Sequence, residues 1–309
     1  VGLSPLARAR QAAEDVPFAG LVSLRWTDQQ GGVHSTEVRV QAGSGVLQMD
    51  GPSRLAAAAG QRWLFRHGGW DLMSPAGAAA PDADVAPKYA FTTAAGPLVA
   101  GRPTTLVVAR VEPGPASPAH VELLYLDDAT GLLLRRDQLD GSGRVARAIG
   151  FEQLQIGPPS RAPQAPSHSA DRRPRAAAST GGLVRAPAEL AGQYRRVGVL
   201  HRPGAIQILY SDGLHAFSLF AQPGRIDHHK LPAGGAPVLV GSAHGLHYTW
   251  AGGHVVLWQA GAAAYTVVGD GDPEEVLAAA RSVPRPPAPG TWERVRRSCG
   301  ALLEALGAR

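Results

Sequence analysis

From Ala19 to Val268 apolar residues recur at every second position or in short β-rich runs, and Gly, Pro or Asp repeatedly interrupts them. Period two puts alternate side chains on opposite faces, so a chain written this way is expected to form antiparallel strands joined by turns. Leu21, Trp26, Val38, Val40, Val46 and Leu47 begin the pattern, after an amphipathic stretch from Leu3 to Val16. Further strands are expected at 62–67, 70–73, 104–111, 121–126, 132–139 and 144–156. Asp127-Asp128-Ala129-Thr130-Gly131 and Asp140-Gly141-Ser142-Gly143 each separate two apolar runs and have the composition of hairpin turns needing positive φ.

The periodicity vanishes between Gly157 and Pro187, where Pro, Ser, Arg and Ala take over, the composition of a flexible or extended linker. It returns at Leu190, with strands expected at 194–201, 205–211, 215–220, 238–240, 247–251, 254–260 and 263–268. A helix is expected over 273–282. Asp272 is suited to cap it, Pro273 fits its first position, and Glu274 and Glu275 favour the positive end of its dipole. Beyond a Pro-rich break at 284–289, Val295, Cys299, Leu302, Leu303 and Leu306 repeat at helical spacing. The expected organisation is therefore a first domain at 1–157, a linker at 158–187, a second domain at 188–283, and a terminal segment with an amphipathic helix at 284–309. A length of 309 residues suits two cores of ordinary size.

Composition narrows the function classes. With 44% hydrophobic and 18% charged residues, neither wholesale disorder nor a membrane bundle is expected. No apolar run approaches the roughly 18 to 20 residues that span a bilayer. The formal charge of +5 comes from arginines, with Lys88 and Lys230 the only lysines. The densest basic run, Arg172, Arg173 and Arg175, lies in the linker without interleaved aromatics, so no nucleic-acid partner is expected. Cys299 is the only cysteine, which excludes an intramolecular disulfide and a cysteine-based zinc site.

Catalytic signatures are missing from the sequence: there is no G-x-S-x-G elbow, no phosphate-binding loop and no H-E-x-x-H pair. His228 and His229 adjoin Asp227, and His244 and His247 lie three apart, but a metal needs three or four converging ligands and adjacent strand histidines point apart. They read as turn or surface residues. Asp127 and Asp128 read as turn carboxylates, and Cys299 as a small hydrophobe. No catalytic residue, metal or cofactor is expected.

Three segments, in order along the chain, carry a resemblance. The first is A-A-E-D-V-P-F-A-G-L-V-S-L at 12–24. The second is V-A-G-R-P-T-T-L-V-V at 99–108, followed by L-L-Y-L-D-D-A-T-G-L-L-L-R-R-D from Leu123 and I-G-F-E-Q-L from Ile149. The third is I-L-Y-S-D-G-L-H-A-F-S-L-F at 208–220, followed by Y-T-V-V-G-D from Tyr265. Together they resemble the RseB/MucB family of extracytoplasmic regulators. The resemblance implies an α+β, mainly antiparallel fold: a LolA/LolB-like half-barrel with helices, then a smaller α+β domain. It implies a non-catalytic protein that binds the external segment of a membrane anti-sigma factor and controls its proteolysis, with a lipid or lipoprotein acyl chain as a further ligand.

Carried onto this chain, the partner interface would include Tyr210, Ser211, Asp212, Gly213, Leu214 and Phe217. An apolar half-barrel face without catalytic groups suits an acyl chain or a peptide. Its candidate lining is Trp26, Leu64, Trp70, Met73, Tyr89 and Phe91. The implied location is periplasmic or on the outer face of the cell membrane, with membrane association through a leader preceding Val1 left open. A lipid or lipoprotein carrier built on the same half-barrel is the alternative reading. The tail at 284–309 extends past the family's usual end.

Overall fold

The computed structural model describes residues 4–43, 46–50, 64–66, 88–111, 120–158, 187–191, 193–202, 205–250 and 252–284. Helix α1 (Pro5–Asp15) opens them. The Ser4 hydroxyl accepts the Ala7 N–H at 3.2 Å and Pro5 sits in the first turn, where no N–H is needed.

Nine strands follow as one sheet: β1 (Phe18–Thr27), β2 (Val33–Gly43), β3 (Val46–Asp50), β4 (Leu64–Arg66), β5 (Tyr89–Ala95), β6 (Thr104–Val111), β7 (His120–Asp127), β8 (Leu133–Leu139) and β9 (Val145–Ile156). Their order is β4-β3-β2-β1-β9-β8-β7-β6-β5 and neighbours are antiparallel, so β1 pairs with β9 at the centre of the sheet. Gly131 and Gly143, both at φ +81°, close the β7–β8 and β8–β9 turns expected from sequence. Asp127 holds the first turn. Its carboxylate accepts the Thr130 N–H at 2.9 Å and a two-pronged bond from Arg102 at 2.8 Å.

One face of this sheet packs against α1. Leu6 and Ala9 join Tyr89, Val107, Ala109, Leu124 and Leu126, while Ala12 joins Val22, Leu24, Ile149 and Phe151.

Eight strands make the second sheet: β10 (Glu189–Leu190), β11 (Tyr194–Arg202), β12 (Ala205–Ser211), β13 (Ala216–Pro223), β14 (Ala236–Val240), β15 (Ala243–Trp250), β16 (Gly253–Ala260) and β17 (Ala263–Gly269). Their order is β10-β11-β12-β13-β17-β16-β15-β14. Helix α2 (Pro273–Ser282) has the expected bounds and Asp272 cap, and buries Val276, Ala279 and Ala280 against this sheet. Tyr194 and Phe217 pack ring on ring at 4.0 Å, and Trp258 stacks on Tyr265 at 5.4 Å in the same core.

Several strands depart from expectation, β15 among them, which begins at Ala243 rather than His247. β5 was not foreseen, because Ala, Thr and Phe at an exposed sheet edge carry no period-two apolar signal. β13 begins at Ala216 rather than His215, since His215 is held in the preceding turn. The strand expected at 70–73, residues 159–186 of the linker, and the terminal helix with Cys299 lie outside the described residues.

Candidate functional site

The two sheets meet along a polar seam built from the turn between β12 and β13. Asp212 shapes this turn: its Oδ1 accepts the Leu214 N–H at 2.9 Å and the His215 N–H at 2.7 Å, and Gly213 takes φ +89°. The turn drives Leu214 into the core of the other half, among Leu6, Ala9, Tyr89, Val107 and Leu124. Burying a leucine to 3% exposure contributes roughly 1.5–3 kcal/mol. From α1, Arg10 donates to the Gly213 carbonyl at 2.9 Å.

Charged groups surround that plug. His215 Nε2 donates to Glu122 at 2.9 Å, its Nδ1 lies 2.8 Å from the Tyr89 hydroxyl, and that hydroxyl donates to Asp212 at 2.6 Å. Burial opposes a charge on His215, but bonds to Asp212 and Glu122 outweigh it and raise its pKa to about 10. A doubly protonated ring makes the chain directional, from His215 to the Tyr89 oxygen and from Tyr89 to Asp212. Burial likewise opposes the Asp212 charge, yet His215 and Lys88 hold its carboxyl well below the usual range. Arg136 bridges Glu122 at 2.8 Å and Asp270 at 3.0 Å, while Gln138 and Arg147 donate to the Asp270 carbonyl at 2.7 and 3.0 Å.

Asp212, His215 and Glu275 bring possible ligand atoms within 4.8 Å of one another, a spacing that would suit a metal ion. Lys88 already fills the role of cation there: its Nζ sits 3.0 Å from Asp212 and 2.8 Å from Glu275. Tyr194 donates to the other Glu275 oxygen at 2.7 Å. This set is a neutralised lock between the halves.

Beside the lock the seam opens into a groove of about 760 Å³. Trp26, Gln29 and Val33 line it from the β1–β2 hairpin, Val145 and Arg147 from β9, and His247, Trp250 and His254 from β15 and β16. Val33 and Val145 are exposed there, at 59% and 42%. Trp250 Nε1 is buried and finds no acceptor among the described residues. Gln29 Nε2 lies 2.6 Å from His247 Nδ1, and His247 Nε2 lies 3.1 Å from His254 Nδ1, so the groove wall is a second, uncharged link between the halves. Burial, aided by His247 and Arg147, pushes His254 down to about 3.

The residues singled out from sequence are distributed unevenly over this architecture. Tyr210 and Phe217 are buried in the core of the second sheet, at 0% and 1% exposure. Asp212, Gly213 and Leu214 form the plug, and Ser211 Oγ braces it by donating to the His215 carbonyl at 2.9 Å. Ser211 to Leu214 thus lie at the seam between the two halves of the same chain, whereas Tyr210 and Phe217 belong to the core of the second sheet. Of the proposed lipid lining, Tyr89 is committed to the lock, Phe91 lies on edge strand β5, and Trp26 stacks on His34 in the groove. Leu64 lies in the short strand β4, and Trp70 and Met73 lie outside the described residues. His228 and His229 occupy an exposed single-turn helix.

No protein-family model and no curated protein sequence matches the chain. The solved structures give a fold. The crystal structure of MucB aligns over 91% of this chain and 96% of MucB, at 19% identity and a TM-score of 0.52. The chain has a MucB-like fold. MucB in complex with MucA(peri) and the Pseudomonas aeruginosa MucA/MucB complex also align, each at 22% identity over 92% of this chain and 98% of the matched chain, with TM-scores of 0.48 and 0.46.

Proposed function

We propose that the protein is a non-catalytic extracytoplasmic regulator that binds the external segment of a membrane anti-sigma factor in the groove between its halves and controls that segment's proteolysis. The MucB-like arrangement of two sheets supports this reading, together with the three sequence segments that resemble the RseB/MucB family. MucB itself occurs in complex with MucA(peri).

The observation that carries the reading is the groove. It joins exposed apolar side chains and two tryptophan rings, one of them with an indole N–H that has no acceptor among the described residues. Apolar anchors with a few unsatisfied polar groups are what an extended peptide recognises, its carbonyls accepting where the protein donates. A segment lying between the two sheets would be shielded from a protease that must bind it extended.

Sensing of a lipid or lipoprotein is the finer part of the proposal. An acyl chain reaching the α1-covered face would compete with Leu214 for the same apolar contacts, so lipid binding would loosen the seam that forms the groove. Simple lipid carriage has less in its favour, since that face is filled by α1 and Leu214.

Timed cleavage of the external segment of the neighbouring anti-sigma factor by its site-one protease, with and without this protein, tests the proposal. Cleavage slowed in proportion to complex formed is expected. Unchanged cleavage at saturating protein contradicts it.

A further inference from the structure

The groove wall contains a hydrogen-bonded chain whose direction is fixed. Gln29 Nε2 is a donor, so His247 Nδ1 must accept at 2.6 Å and the ring proton must sit on Nε2. That proton points at His254 Nδ1, 3.1 Å away, which must accept in turn; Thr249 Oγ1 lies 3.4 Å from the same nitrogen. Both rings are therefore neutral, each with its proton on Nε2. A proton added at either Nδ1 sets donor against donor. Rotating the Gln29 amide does not repair this, because the same Nε2 also donates to the His247 carbonyl at 3.3 Å and rotation would set oxygen against oxygen.

The surroundings give a second proton no shelter. Arg147 of β9 adds positive charge beside His254, and the Asp270 carboxylate, the nearest counter-charge, is already paired with Arg136. Asp28, next to Gln29 in the same hairpin, is paired with His34 at 2.7 Å, and Asp272 caps α2 by accepting the Glu274 N–H.

We propose that Gln29, His247 and His254 form an acid-sensitive clasp: closed while both rings are neutral, it releases the β1–β2 hairpin from β15 and opens the groove when either ring gains a proton. The charged lock around His215 keeps the halves attached meanwhile, because its histidine is already protonated. This assigns a regulation to the groove and rests on the proposed function only for its consequence, that partner affinity would depend on pH.

Hydrogen exchange of the protein alone, followed by mass spectrometry between pH 7.5 and 5 and corrected for intrinsic exchange, tests the clasp without a partner. Failure here therefore leaves partner binding untouched, and the reverse also holds. In the segments 27–33 and 247–254, exchange is expected to rise by about tenfold per pH unit below the ordinary histidine pKa of about 6.5. Gln29→Ala changes an exposed side chain and should give fast exchange already at pH 7.5. His247→Asn keeps a polar partner for Gln29 without a titrating ring and should flatten the response. Exchange that ignores pH in the native protein, a Gln29→Ala variant as protected as the native protein at pH 7.5, or an unaltered response in His247→Asn would each overturn the clasp. Should His247→Asn fail to fold, Gln29→Ala decides alone.

Discussion

The inner and outer parts of the seam join the same two sheets by opposite chemistry. Inside, Lys88, Arg136 and His215 meet Glu122, Asp212, Asp270 and Glu275 in a buried set of charges around an inserted leucine. Outside, Gln29, His247 and His254 make a neutral chain along an open groove. A buried ion pair is costly to break because the surviving charge is stranded, whereas parting a neutral bond strands no charge. The difference assigns the tasks: the inner seam fixes the relative placement of the halves, and the outer seam can let go.

Removing one inner charge is the most drastic way to break this contrast. Arg136→Ala removes the cation that bridges Glu122 and Asp270 and should cost about 3–5 kcal/mol in urea-monitored unfolding. A loss below about 1 kcal/mol would mean the lock is not holding the halves. Next in size is Leu214→Ala, which empties the plug while sparing the charges and should cost about 2–3 kcal/mol by the same measurement.

Titration sharpens the contrast, since the two histidines pull stability in opposite directions. For His215 the folded pKa of about 10 exceeds the unfolded value of about 6.5, so its contribution is complete below pH 6.5 and is lost as pH rises through 10. For His254 the folded pKa of about 3 lies below the unfolded value, so between pH 6.5 and 3 the unfolded chain binds the extra proton and stability falls as pH falls. Melting temperature should therefore peak near neutral pH, and His215→Gln should remove the alkaline limb while leaving the acidic one. The smallest effect is expected from Val145→Ser, an exposed groove residue, which should change stability by less than about 0.5 kcal/mol.

Much of the fold was legible in the sequence. β6, β12, the Asp127–Gly131 turn and α2 with its Asp272 cap follow from period two, turn composition and capping chemistry, all local signals. β5 was not, because an exposed edge strand of small residues needs no apolar face. The seam was illegible for a different reason: the bonds across it join residues 77 to 218 positions apart, and no local pattern encodes such pairs. One clue was present. In strands reading V-E-L-L and L-L-R-R-D-Q, Glu122 shares a face with Leu124, and Arg136 and Gln138 share one with Leu134, so polar groups interrupt stripes that are otherwise core. Charges on a buried stripe require partners from elsewhere. Within the Y-S-D-G-L segment, Tyr210 is core while Asp212, Gly213 and Leu214 make the turn that enters the other half, a contact that the local pattern of a strand ending in a turn does not encode.

Calorimetric titration with the external segment of the neighbouring anti-sigma factor tests the central claim most directly, comparing the native protein with a Trp26→Ala, Val145→Ser variant that alters the groove and leaves the lock intact. Saturable binding to the native protein, weakened at least about tenfold in the variant, is predicted, a loss of about 1.4 kcal/mol or more. Equal binding by both would contradict the groove as the partner's site, and no binding by either would contradict the regulator itself.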